Sequence, residues 1–387
     1  MVINRKIITR VQELARTFSI VTIEGPRQSG KTTLAKMAFP DYAYANLEDT
    51  AVRRLAADDP RGFLEKFPAP AIIDEIQRVP GLLSDLQVEV DRRGTCGCYI
   101  LTGSHQPRMK EGVSQSLAGR TALVTLLPLS IDELSAAGVE LSRDEYIFRG
   151  FLPAIYDRKQ NPVDAYESYY RTYVERDVRQ LVNITHQGEF ELFLRLLAGR
   201  VGQIVNLDGL SGEVGVSSTT LKEWLAVLEA SFIVFRLPPY YNNFGKRFIK
   251  SPKVYFTEVG LAAHLLGLTS PEQVSRDPLL GGLFENLAVI EALKARYNSG
   301  LDGRLYFLRD KTGTEVDLAV ERNRELSFIE IKGARTPDDG MAANIRTLRR
   351  STGQGARAHV IYAGEDWPLV DCDGFVNFKR ISSIVCE

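Results

Sequence analysis

Apolar positions along this chain change their spacing twice. From about Ile20 to Ser130, short and nearly continuous apolar runs alternate with stretches of helical period. The runs are SIVTIE from Ser19, YAYANL from Tyr42, AIIDE from Ala71, CYILTG from Cys98 and ALVTLL from Ala122; the helical stretches follow Lys31, Thr50, Pro80 and Glu111. Buried strands alternating with helices predict βα units on a mainly parallel sheet. From about Arg143 to Ser270 the period becomes helical. Tyr166, Tyr169, Tyr170 and Tyr173 recur at that spacing and read as core contacts between helices rather than as a platform for stacked bases. After Leu192 a helix, a turn at Gly215, a Ser-Ser-Thr-Thr helix start at 217 to 220 and the amphipathic LKEWLAVLEA lead into the strand-like SFIVFRL. That order predicts a helix-turn-helix with a wing, with Ser217 as cap and Ser218, Thr219 and Lys222 on the exposed face. From about Leu279, the helix LFENLAVIEALK precedes a hairpin: a strand near Thr314 to Val320, a polar turn at Arg322 to Glu325, and a strand from Leu326 to Gly333.

Length and composition narrow the classes. At 387 residues, two or three domains are expected, and 44% apolar with 25% charged residues describes a globular protein. The formal net charge is -1, from 48 basic and 49 acidic residues, so any polyanion site must be a local patch. The cysteines at 96, 98, 372 and 386 form no C-x-x-C pair, which points to reduced thiols in a cytoplasmic protein and away from zinc. Neither a signal peptide nor a spanning helix is expected, and no membrane partner.

Candidate chemistry begins at GPRQSGKTT, which has the form G-x-x-x-x-G-K-[ST]. Gly25 and Gly30 bracket a tight loop through Pro26, Arg27, Gln28 and Ser29 whose backbone N–H groups face inward. Lys31 adds a point charge, Thr32 offers a hydroxyl to Mg²⁺, and Thr33 continues the loop into a helix whose N-terminus faces the phosphates. Strand, loop and helix come in the order that ATP binding requires. AIIDEIQ ends an apolar strand about forty residues later. There Asp74 would hold the Mg²⁺ shell and Glu75 would polarise the attacking water. Thr102 or Ser104, closing CYILTGS, could contact the γ-phosphate or the water, whereas His105 reads as a loop residue.

GPRQSGKTT, IIDEIQ, ILTGS, SLAGR followed by LLPLSIDEL, FRGFLPAIY and YYRTYVERDV together resemble the AAA-type ATPase family of bacteria and archaea that carries a C-terminal domain of unknown function. The resemblance spans nearly the whole chain and implies an AAA core with Lys31, Thr32, Asp74, Glu75 and Ser104 in the roles above. It also makes Arg120 a candidate arginine finger for a neighbouring subunit, hence a homo-oligomer, with a structural salt bridge as the alternative. Arg176 and Asp177 either join a salt-bridge network or, for Arg176, approach the nucleotide.

The cluster Lys246, Arg247, Lys250 and Lys253 favours DNA over a protein as the winged helix's partner, because cations in one loop neutralise phosphates without reading bases. A second constellation lies in the hairpin. Alternation puts Glu330 and Lys332 on one face with Asp317 opposite, and Ile329 and Ile331 on the other. Carboxylates of Asp317 and Glu330 would bind Mg²⁺ while Lys332 holds the nucleophilic water. The pattern D-x(n)-E-x-K resembles the restriction-endonuclease-like superfamily, in which Glu285 would be an additional metal-linked acid.

The expected fold class is thus α/β and multidomain: a P-loop AAA-type parallel-sheet core at 1–140, a helical lid and winged helix at 141–275, and a restriction-endonuclease-like α/β domain at 276–387. Two functions fit. One is an ATP-hydrolysing enzyme acting on DNA, with a metal-dependent nuclease under nucleotide control; the other is an ATP-dependent switch that binds DNA or protein, with a catalytically silent C-terminal domain. A small-molecule kinase fits less well, since no acceptor-binding lid is evident.

Overall fold

The computed structural model describes residues 2–104, 117–178, 187–240, 251–309, 313–322, 325–352, 357–369 and 372–386. The chain divides into two compact units: Met1–Leu129 with Ala230–Phe232 and Tyr297–Gly300, and Ser130–Glu229 with Ile233–Arg296 and Leu301–Glu387.

The first unit is built on five parallel strands, β1 (Ile20–Gly25), β2 (Ala43–Asn46), β3 (Ala71–Asp74), β4 (Tyr99–Ser104) and β5 (Thr121–Thr125), in the order β2-β3-β4-β1-β5. The runs of β1, β3 and β4 are nearly continuously apolar because both faces are covered, whereas the edge strands β2 and β5 are only partly buried. Val21, Ile23, Ile72, Ile100 and Val124 pack with Val11 and Leu34 on one side, while Ile20, Ala71, Ile73, Tyr99 and Leu101 pack with Phe63, Leu83 and Leu86 on the other. The order has a direct consequence for chemistry: β4 lies between β1, which leads into the glycine loop, and β3, which ends in Asp74. The helices expected after Lys31, Thr50 and Pro80 form at Lys31–Ala38, Thr50–Asp58 and Leu82–Arg93. The helix expected after Glu111, and His105, lie outside the described residues.

In the second unit the tyrosine-rich helix Pro162–Tyr169 continues as a π-helical segment, Tyr170–Val178, with Tyr166, Tyr169 and Tyr173 buried. The Tyr166 hydroxyl donates to Glu258 at 2.9 Å, so this row does form core. Helices Gln187–Ala198, Leu207–Val214 and Ser218–Ala230 precede the antiparallel pair β6 (Val234–Leu237) and β7 (Lys253–Phe256). Ser217 accepts from the Thr220 N–H at 3.1 Å, and Thr219 and Lys222 are exposed.

The helix Leu280–Asn298 leads to a mixed sheet of β8 (Leu305–Arg309), β9 (Glu315–Arg322), β10 (Glu325–Lys332), β11 (Ala358–Tyr362) and β12 (Gly374–Asn377), in the order β12-β11-β10-β9-β8. The expected hairpin is β9 and β10, paired antiparallel with Ile329 opposite Leu318. All four cysteines are free, and no described helix is long and apolar enough to cross a membrane.

Because Leu101 is fully buried on the strand that carries Ser104, Leu101→Ala should destabilise the first unit by about 2–5 kcal/mol. Urea unfolding followed by a probe in that unit measures the loss.

Candidate functional site

The glycine loop is shaped by two close requirements. A Cβ at Gly25 would sit 2.1 Å from the carbonyl oxygen of Leu126, so only glycine lets the chain leave β1 beside the end of β5. Gly30 has φ 91 at the start of the helix Lys31–Ala38, a conformation that side chains resist. The Lys31 ammonium donates to the carbonyls of Gly25 (3.1 Å) and Pro26 (2.7 Å). Burial lowers its pKa to about 8, against the opposing pull of Glu75 and Asp74. The Ser29 hydroxyl is buried with no hydrogen-bond partner among the described residues.

Thr32 brings the loop's helix to Asp74: its hydroxyl lies 3.0 Å from both carboxylate oxygens. Asp74 also accepts from Tyr44 of β2 at 2.7 Å and from Thr102 of β4. Donation to that carboxylate, on top of burial, raises the Tyr44 pKa. A hydroxyl and a carboxylate clamped together at a helix N-terminus are the hard oxygen donors that Mg²⁺ takes, so Thr32 and Asp74 fit the ion expected there. Glu75 is strained into the left-handed region at φ 60 and ψ 44. Burial raises its pKa, with Lys31 opposing. Gln77 donates to Glu75 and, at 3.1 Å, to the hydroxyl of Ser104. The structure therefore gathers Gly25, Gly30, Lys31, Thr32, Asp74, Glu75, Thr102 and Ser104 at the carboxyl ends of the strands.

Arg120 lies elsewhere. It precedes β5, and its carbonyl accepts from the N–H of Ile20 at the start of β1, at the end of the strands opposite to the loop. Its guanidinium makes a bidentate pair with Asp91, 2.6 and 2.8 Å. Sequence reasoning missed three contributors. Arg5 is buried and donates to the carbonyls of Ser29 (2.7 Å), Leu127 (2.7 Å) and Pro128 (3.4 Å), bracing the loop from the amino end, with no motif to signal it. Tyr44 was legible only as a strand residue. Gln77 stood in IIDEIQ, two residues after Glu75, and that spacing was its signal.

The second constellation assembles in the second unit around Lys253, which requires a correction. Lys253 was expected in a solvent-facing basic cluster, of which Lys246, Arg247 and Lys250 lie outside the described residues. It is 2% exposed, because it opens β7 and pairing with β6 turns it inward. Its ammonium lies 2.5 Å from Glu315, 2.8 Å from Glu285 and 3.5 Å from Asp317, and so is withdrawn from any phosphate. Burial alone would lower its pKa, but the carboxylates of Glu285, Asp317 and Glu315 raise it.

Lys332 pairs with Glu330 at 2.7 Å and reaches Asp317 at 3.9 Å, and Asp317 accepts from the Ile331 N–H at 2.9 Å. Asp317, Glu330, Lys332 and Glu285 thus lie in one ion-paired group with Lys253. The carboxylates are the right donor type for Mg²⁺. Even so, among the described residues no three His, Cys, Asp or Glu side chains converge closely enough to hold a metal ion, and the cation at the centre is Lys253. In this arrangement the residues do not fit a metal. Arg176 and Asp177 have side chains outside those described.

The glycine loop, the strand-borne acid pair and the polar end of the strand between them define an AAA-type P-loop ATPase. A model described as an AAA domain matches residues 17–135, and models described as domains of unknown function, DUF8612 and DUF4143, match 141–272 and 280–379. An uncharacterised protein of Mycobacterium tuberculosis is 31% identical over 374 residues, covering 95% of this chain and 82% of that one, and the chain belongs to its family. An uncharacterised Haemophilus influenzae protein is 24% identical over 86% of each chain. The Walker-type ATPase of Pyrococcus abyssi aligns with 68% of this chain and 96% of its own, at TM-score 0.46 and 12% identity.

Burial, and then the Asp317 charge, push the Glu330 carboxyl up to about 8, with Lys332 opposing. An acid whose folded-state pKa exceeds its ordinary 4.5 holds its proton more tightly when folded, so between about 4.5 and about 8 stability falls as pH rises. Glu330→Gln should flatten that slope, as read from denaturation midpoints of the second unit across the same range.

Proposed function

We propose that the chain binds ATP with Mg²⁺, hydrolyses it, and uses nucleotide state to switch its engagement of DNA. The clamp of Thr32 and Asp74 beside Lys31 carries this reading. In it the loop from Gly25 to Thr33 binds the phosphates, and Thr32 and Asp74 would hold Mg²⁺, which would supply positive charge against the phosphates. Glu75 takes the proton of the attacking water, and Ser104 faces the reacting end. For Arg120, the bidentate pair with Asp91 supports a structural role rather than a finger offered to a second copy.

DNA as partner is supported by the order of three helices followed by β6 and β7, read as a winged helix, and by the exposure of Thr219 and Lys222. For the nuclease-like C-terminal domain, the buried Lys253 supports the silent alternative. It supplies internally the charge that a metal would bring to Glu285 and Asp317, so Asp317, Glu330 and Lys332 act as an ion-paired framework rather than as a cutting site.

Calorimetry and phosphate release test the first part. Lys31→Ala should lose ATP binding; Glu75→Gln should keep binding and lose about 10²- to 10⁴-fold in turnover; Arg120→Ala should match the parent in both. No heat from ATP on folded protein would end the ATPase reading. For the second unit, a Mg²⁺-dependent nuclease assay with Asp317→Ala and Lys332→Ala controls should show no cutting that either substitution removes. Cutting lost in both would restore the nuclease.

A further inference from the structure

Gln77 sits in the one-turn helix Ile76–Arg78 that follows β3. The left-handed Glu75 reverses the chain just before it, and the turn is held by the Arg78 N–H donating to the Glu75 carbonyl (2.9 Å) and by the Glu75 N–H donating to Thr102 Oγ1 (3.4 Å). This reversal brings the Gln77 amide back against the acid two residues earlier. Its Nε2 donates to Glu75 Oε2 and to Ser104 Oγ, which lies at the end of the neighbouring strand β4. A carboxylate only accepts, so the amide edge facing Glu75 is the donor and Oε1 turns away. Among the described residues, Oε1 is then buried without a hydrogen-bond partner. An unpaired buried oxygen costs free energy, so the amide keeps this orientation for the two bonds that Nε2 makes.

We propose that Gln77 is a positioning residue for ATP hydrolysis, tying the carboxylate of Glu75 to the hydroxyl of Ser104 and so fixing the base across β3 and β4. In the step it serves, the water oxygen bonds to the γ-phosphorus as the bond to the bridging oxygen breaks. The water proton passes to Glu75, and Gln77 exchanges none. Without the amide, Glu75 is free to swing on its two methylenes, and a small misplacement of a base is costly in rate. The inference rests on the ATPase reading of the first unit.

The test compares the parent chain, Glu75→Gln, Gln77→Ala, Gln77→Glu, Ser104→Ala and the Gln77→Ala/Ser104→Ala pair. Each is measured for steady-state ATP turnover, for ATP affinity by calorimetry and for melting temperature. Gln77→Ala should lower kcat about 10- to 100-fold with affinity and melting temperature unchanged. Gln77→Glu, which keeps the shape but replaces the donor with a carboxylate, should lose as much. The pair should lose less than the product of its members, because the three groups act as one unit. Parent-like turnover in Gln77→Ala overturns the inference, as does a joint loss of binding, melting temperature and rate, which would mark a purely structural residue. A parent chain that binds no ATP brings down the ATPase reading itself and this inference with it.

Discussion

A carboxylate taken out of water must be met by donors, and the first unit is organised around that demand at Asp74. Three hydroxyls answer it, from Thr32 on the helix behind the glycine loop, Tyr44 on the edge strand β2 and Thr102 on β4. Each comes from a different element, so one side chain fixes the registration of loop, sheet edge and sheet centre. Hydroxyls satisfy the oxygens without cancelling their charge.

The second unit meets a similar demand by the opposite means. Glu285, Glu315, Asp317 and Glu330 are compensated by Lys253, Lys332 and, at 3.2 Å from Glu315, Arg309. Here charge cancels charge, although four acids face three bases. Burial and Asp317 push Glu285 up to about 7 and Glu330 up to about 8. An internal ammonium and an external metal compete for the same oxygens, and the ammonium carries no search or ordering cost once β7 has formed.

Much of this was legible in the sequence because it is local. The glycine loop, the Asp-Glu strand end and the β9–β10 hairpin are each written within about twenty residues, where period and turn chemistry suffice. Alternation in the hairpin even gave the shared face of Asp317, Glu330 and Lys332. What escaped depends on pairing between distant segments. Lys253 reads as one of four cations in a loop until β6 is known to pair with it, and nothing local in the sequence joins Arg5 to the three carbonyls it meets. Gln77 was in view but silent, because its role comes from the backbone reversal at Glu75, which no pattern of residue types announces.

Arg5 has a consequence for how the protein is handled. Its guanidinium holds the carbonyl of Ser29, within the glycine loop, together with those of Leu127 and Pro128 just beyond β5. Loss of the residues ahead of Ile8 would strip those three carbonyls of the donor they share, so a change made there acts on the shape of the glycine loop.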